Sequence, residues 1–99
     1  MSQISVLPLS ADPSADTQEF DVGVTSDDKT KTTHQVLVRQ ETYQRLTGGL
    51  KSAEELVKAS FEFLLEREPK ESILKRFDLD KIQGYFPEYE TVISAQLAK

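Results

Sequence analysis

SAEELVKASFEFLLERE, residues 52–68, carries the longest helix signal in the chain and its largest share of bulky apolar side chains. Ser52 is a good N-cap, and Glu55 follows three residues later. That spacing predicts a capping box, in which the hydroxyl accepts from the Glu55 amide and the carboxylate reaches back. Glu54 and Glu55 place negative charge at the positive end of the helix dipole, and Arg67 lies near the negative end. Pro69 stops the helix, because the residue before a proline is pushed out of the α region. Ala53, Leu56, Val57, Ser60, Phe61 and Leu64 recur at three- and four-residue spacing and form one stripe, which Phe63 and Leu65 widen. The apolar arc covers roughly half the circumference at about 100° per residue. A helix with so wide an arc is expected to be covered on two sides. Small Ser60 lies mid-stripe, where a second element can approach closely.

Upstream of this helix, residues 19–25 (EFDVGVT) and 32–39 (TTHQVLVR) alternate with the period of half-buried strands. Phe20, Val22 and Val24 share one face of the first. His34, Val36 and Val38 share one face of the second, with Gln35, Leu37 and Arg39 opposite. The polar stretch SDDKT between them predicts a β-hairpin whose apolar face lies on the helix. Residues 40–47 predict a short helix ended by Gly48–Gly49 in the left-handed conformation. The low-hydrophobicity order of residues 1–18 predicts a flexible tail, within which residues 3–7 give a weak edge-strand signal.

Downstream, Pro69 suits the first position of another helix, and residues 69–77 are expected to form one with Ile73, Leu74 and Phe77 inward. Asp78 is placed to cap a turn over 79–84, with Leu79 and Ile82 toward the core. Pro87 opens a last helix to Leu97, with Val92, Ile93 and Leu97 on one side. The fold expected is therefore α+β. An N-terminal antiparallel β-hairpin packs on a small helical subdomain of three to five short helices, forming a single domain over 19–97.

Composition bounds function more by exclusion. With 99 residues, one domain is expected. An apolar fraction of 37% and a mean hydropathy of −0.46 fit a modest core, and a homodimer sharing that core would relieve it. The absence of cysteine excludes disulfides, thiol catalysis and cysteine-based zinc sites, and fits a reducing cytoplasm. No apolar run predicts a membrane span. A net charge of −5 disfavours nucleic acid as a partner, since neutralising phosphates takes Lys and Arg.

No catalytic set, cofactor loop or metal cluster can be read, so no enzyme and no cofactor are expected. His34, the single histidine, has no nucleophile or partner at a recognisable spacing and reads as a strand residue on the half-buried face. Glu62, Glu66, Glu68 and Glu71 are interleaved with Arg67 and Lys70 and read as solvated surface. Gly48–Gly49 lacks the spacing of a phosphate loop. In GYFPEY, Tyr85, Phe86 and Tyr89 are the candidate partner-binding residues, because aromatics beside a proline commonly anchor partners. The competing reading is that their rings seal the core.

Two resemblances bear on function. HQVLV, TGG, SAEELVKASFEFLLEREPKESIL, FDL and YFPEYE resemble a segment of a group of short, uncharacterised bacterial proteins, over residues 34–90. That implies one compact domain behind a variable tail and no chemistry. The order strand, short helix, Gly-Gly, capped helix also resembles a ribbon-helix-helix module or an antitoxin-like regulator. By that resemblance the strand pairs with its copy, and Gln35, Leu37 and Arg39 face DNA. The expectation taken forward is a non-enzymatic interaction or accessory module with a protein partner.

Overall fold

The computed structural model describes residues 3–9, 17–49 and 51–97. In chain order the elements are β1 (Gln3–Pro8), β2 (Thr17–Thr25), β3 (Lys31–Arg39), α1 (Gln40–Thr47), α2 (Ala53–Leu65), a 3₁₀ turn (Lys70–Ser72), β4 (Arg76–Asp78), α3 (Asp80–Tyr85) and α4 (Tyr89–Leu97). The fold is α+β, but the strands build more than the expected hairpin. They form one mixed sheet in the order β1-β2-β3-β4. β1, β2 and β3 run antiparallel, and β4 joins parallel to β3. Thus β4 is reached by a crossover through α1 and α2, as a parallel neighbour requires.

β2 and β3 alternate as read. Val22 lies opposite His34 and Phe20 opposite Val36, and all four side chains are buried on the helix side. Two differences from the expected hairpin come from β1 and β4. Within the expected tail, the weak edge-strand signal over 3–7 is realised as β1, which pairs with β2 along its full length, and Ile4 and Val6 pack against the core. Residues 1–2 and 10–16 of that tail lie outside the described residues. The expected helix over 69–77 is replaced by one 3₁₀ turn, an extended stretch and β4. The reason is a competition for hydrogen bonds. Without β4, the second edge of β3 would carry unpaired backbone groups beside the core. In the fold, Gln35 N–H donates to Lys75 O at 2.7 Å and Leu79 N–H donates to Leu37 O at 3.0 Å. Ile73 and Phe77 still point inward, but Leu74 turns out to solvent.

α2 begins as its cap predicts, with Ser52 Oγ accepting the Glu55 N–H at 3.1 Å. Its wide apolar arc is covered on two sides. On one, the Phe61 ring meets His34 of β3 and Phe77 of β4, with centroids 5.4 and 5.9 Å apart. On the other, Phe63 makes an edge contact with Tyr89 of α4 at 5.3 Å. Ser60 provides the close approach: its Oγ lies 2.6 Å from the Tyr89 hydroxyl. Ser60 donates its one proton to Leu56 O at 2.8 Å, so Tyr89 donates to Ser60. Gly48 and Gly49 end α1 with φ of 63° and 81°, a conformation that favours glycine. Of the residues expected inward on α4, Ile93 and Leu97 are buried and Val92 remains partly exposed. No helix among the described residues is long and apolar enough to cross a membrane.

Candidate functional site: an apolar cleft beside β4 and α3

Because β4 replaces a helix, the chain from 68 to 86 folds around an open hollow. This cleft has a volume of about 350 Å³ and lies between the 3₁₀ turn, β4 and α3. Ile73, Phe77 and Ile82 form its floor, Leu64 of α2 and Phe86 contribute further wall, and Glu68 and Lys81 stand at the rim. Leu74 and Tyr85 are its lips, 50% and 69% exposed. Phe86 is held by an edge contact with Phe63 at 5.8 Å, and the Arg67 guanidinium caps the Phe63 ring 3.6 Å from its centroid. The floor and back wall are thus continuous with the core, whereas the lips are not.

Specific polar ties hold the two sides of the cleft. His34 of β3 reaches the stretch leading into β4, where its Nδ1–H donates to Leu74 O at 2.8 Å, since a carbonyl only accepts. That fixes the tautomer, so Nε2 accepts from the Thr32 hydroxyl at 2.8 Å. The histidine is a fully hydrogen-bonded core residue that positions one lip of the cleft. At the other end of β4, Asp78 Oδ1 accepts the Asp80 N–H at 2.9 Å and Asp78 Oδ2 pairs with Arg39 at 2.8 Å. α3 is tied to the other helices by Asp80, whose Oδ1 accepts from Thr42 at 2.7 Å and from Arg45 at 3.1 Å. Arg45 also forks onto Glu90 at 3.0 and 3.1 Å. Those hydrogen bonds, first of all to Glu90, push the guanidinium pKa above its ordinary value.

The structure divides the three aromatic candidates. Tyr85 and Phe86 line the cleft, but Tyr89 is 1% exposed and belongs to the core. Its place follows from Pro87, after which α4 starts at Tyr89 and turns that ring onto Ser60. Tyr89 therefore has no surface with which to meet a partner. Gln35, Leu37 and Arg39 do share the sheet face away from the helices. Yet β3 pairs with β2 on one side and with β4 over 35–37 on the other, so that stretch has no free edge for pairing with a copy. Leu37 is half-buried and Arg39 is engaged by Asp78.

Lys70 is a correction of another kind. Expected on a solvated surface, it is 6% exposed; its Nζ donates to Thr30 Oγ1 at 2.6 Å and pairs with Glu71. Thr30 in turn hydrogen-bonds Asp28, and those contacts, with one from Ser26, hold the Asp28 carboxyl down at about 2. Lysine burial of this sort depends on Thr30, forty residues away in sequence, and leaves no local signal. Among the described residues no group of three or more His, Asp or Glu is arranged to hold a metal ion. The hollow offers apolar surface, two exposed lips and a charged rim.

Set against protein-family models, curated proteins and solved structures, the chain matches none of them.

Proposed function

We propose that this chain is a non-enzymatic protein-interaction module, and that the cleft beside β4 and α3 receives an apolar anchor from its partner. The observation that carries this reading is the pairing of exposed Leu74 and Tyr85 across a hollow floored by Ile73, Phe77 and Ile82. Isolated apolar side chains at a surface need no explanation, but two large ones flanking a concave apolar floor mark an interaction site. An aromatic lip beside a pocket is also the usual setting of a binding hot spot.

The lips contribute little to the core, so they can be changed without unfolding the chain. Leu74→Asp and Tyr85→Ala should each keep the unfolding midpoint within about 0.5 kcal/mol of the parent. Each should also weaken the bound partner by more than about 2 kcal/mol, the scale of a hot spot. Lys58→Asp, on an exposed face of α2, should leave binding unchanged. Copurification with the tagged full chain, followed by titration of the recovered partner, measures both quantities. Retention of the partner by both lip variants at parental affinity would refute the reading.

A further inference from the structure

Among the described residues the sheet ends in β1 on one side and β4 on the other, and the two edges differ. β4 is three residues long and carries Arg76, and both shortness and charge protect an edge from further pairing. β1 is six residues long, and its sequence QISVLP holds no charged residue. Leu9 N–H donates to Glu19 O at 2.8 Å, which continues the antiparallel register of β1 with β2. Alternation from that bond turns the backbone groups of Gln3, Ser5 and Leu7 toward β2 and those of Ile4, Val6 and Pro8 away from it. Pro8 agrees with this assignment, since a proline has no N–H to give and is tolerated where that side of an edge strand faces out. Beside the edge a hollow of about 320 Å³ opens between Ile4 and Val6 and the start of α2, at Glu54, Glu55 and Lys58. Ile4 and Val6 are only half-buried there.

The strand that suits this edge is a second β1. When Ile4 lies opposite Val6 of a second copy, both residues exchange N–H and C=O across the interface and Pro8 is not asked to donate. A shift by two residues one way sets Pro8 against Ile4 and forfeits that donor. The opposite shift carries Val6 past Gln3, where β1 begins. The favoured register has its two-fold axis at Ser5, so Ser5 meets its own copy as a non-hydrogen-bonded pair, where side chains stand closest. A charge at that point would face its like, whereas serine is small and neutral. Ile4 and Val6 lie opposite Val24 and Val22 on the helix side, so the copy's own Ile4 and Val6 extend the apolar floor of the hollow. A different protein would be selected by complementary charge, and β1 offers none.

We infer that β1 pairs antiparallel with β1 of a second copy of this chain, about a two-fold axis at Ser5, and joins two sheets into one. This interface lies at the opposite edge of the sheet from the cleft and is independent of the interaction-module reading.

Light scattering on the full chain should give a mass that rises from 11.2 kDa toward twice that value as concentration is raised. The chain has no cysteine, so single substitutions report the register. Under mild oxidation Ser5→Cys should link two chains about tenfold faster than Leu7→Cys, although Leu7 is 60% exposed on the same face. Paired residues at the axis have Cα atoms about 4.5 Å apart, within reach of a disulfide, whereas the two copies of residue 7 stand about 13 Å apart, beyond it. Val6→Pro removes an outward N–H and spares the ladder to β2, so it should fold and remain a monomer at every concentration. Should Val6→Pro fail to fold, the contrast between the two cysteine variants carries the test. Leu74→Asp, at the cleft, should dimerise as the parent does. Loss of the dimer in Leu74→Asp would place the interface at the cleft and overturn the pairing through β1. A mass that stays at 11.2 kDa throughout, or equal linking of the two cysteine variants, would overturn it as well. A monomer whose Val6 amide is protected from exchange only when another protein is added would assign the edge to that protein and refute the second copy.

Discussion

Phe61→Ala should cost about 3–5 kcal/mol, the usual range for removing a fully buried phenylalanine ring. The whole stability of a domain is about 5–15 kcal/mol, so this one change should leave the protein near its unfolding threshold. Phe61 is 0% exposed and occupies the point where three elements meet. Its ring lies against His34 of β3 and Phe77 of β4, and its backbone belongs to α2. None of these neighbours can collapse into the hole without pulling a strand out of register. The same hole opens under Phe77, a floor residue of the cleft, so any binding at the proposed site should fall together with stability. Urea unfolding followed by circular dichroism measures the change. A loss below about 1 kcal/mol would mean that the helix does not sit on this part of the sheet.

Alkaline solution should destabilise the protein through Tyr89. Burial, first of all, raises the pKa of this phenol well above its ordinary 10.0, and the nearby Glu90 and Asp80 carboxylates add to the effect. The contact with Ser60 Oγ acts in the opposite direction, and burial outweighs it. In the unfolded chain the phenol titrates near its ordinary value. The native state therefore holds a proton that the unfolded state releases. The contribution is fully present below pH 10.0 and is lost as pH rises from there toward the raised native value. Over that window the slope for this one group approaches about 1.4 kcal/mol per pH unit. Tyr89→Phe should be less stable than the parent at neutral pH, by about 0.5–1.5 kcal/mol for the hydrogen bond. Above pH 10 it should lose stability less steeply, so the two curves converge and then cross. Urea midpoints across pH 7 to 11.5 read this directly. Parallel curves would show that Tyr89 is not buried.

Much of this architecture was legible because local pattern and tertiary packing agree in it. Ser52 caps α2, the alternation of Phe20, Val22 and Val24 marks β2, and Ser60 announces the close approach that Tyr89 makes. β4 was illegible because Ile73 and Phe77 are four residues apart, a spacing that suits one face of a helix and one face of a strand alike. At three residues, β4 is also too short to show alternation. It exists because the edge of β3, some forty residues earlier, has backbone groups to satisfy. Tyr85, Phe86 and Tyr89 were legible as a group but not as surface or core. The turn at Pro87 that separates them is a matter of direction, which composition does not carry.

The cleft exists only if the chain from 73 to 79 runs extended beside β3. Amide-resolved nuclear magnetic resonance on the intact chain tests that most directly. Close inter-strand proton contacts between Val36 and Phe77 are expected, as is slow hydrogen exchange at Leu79, whose N–H donates to Leu37 O. Successive amide–amide contacts running unbroken from Lys70 through Phe77, with no contact from Phe77 to β3, would instead show a continuous helix. In that case β4, the cleft and the binding reading built on them would all be contradicted.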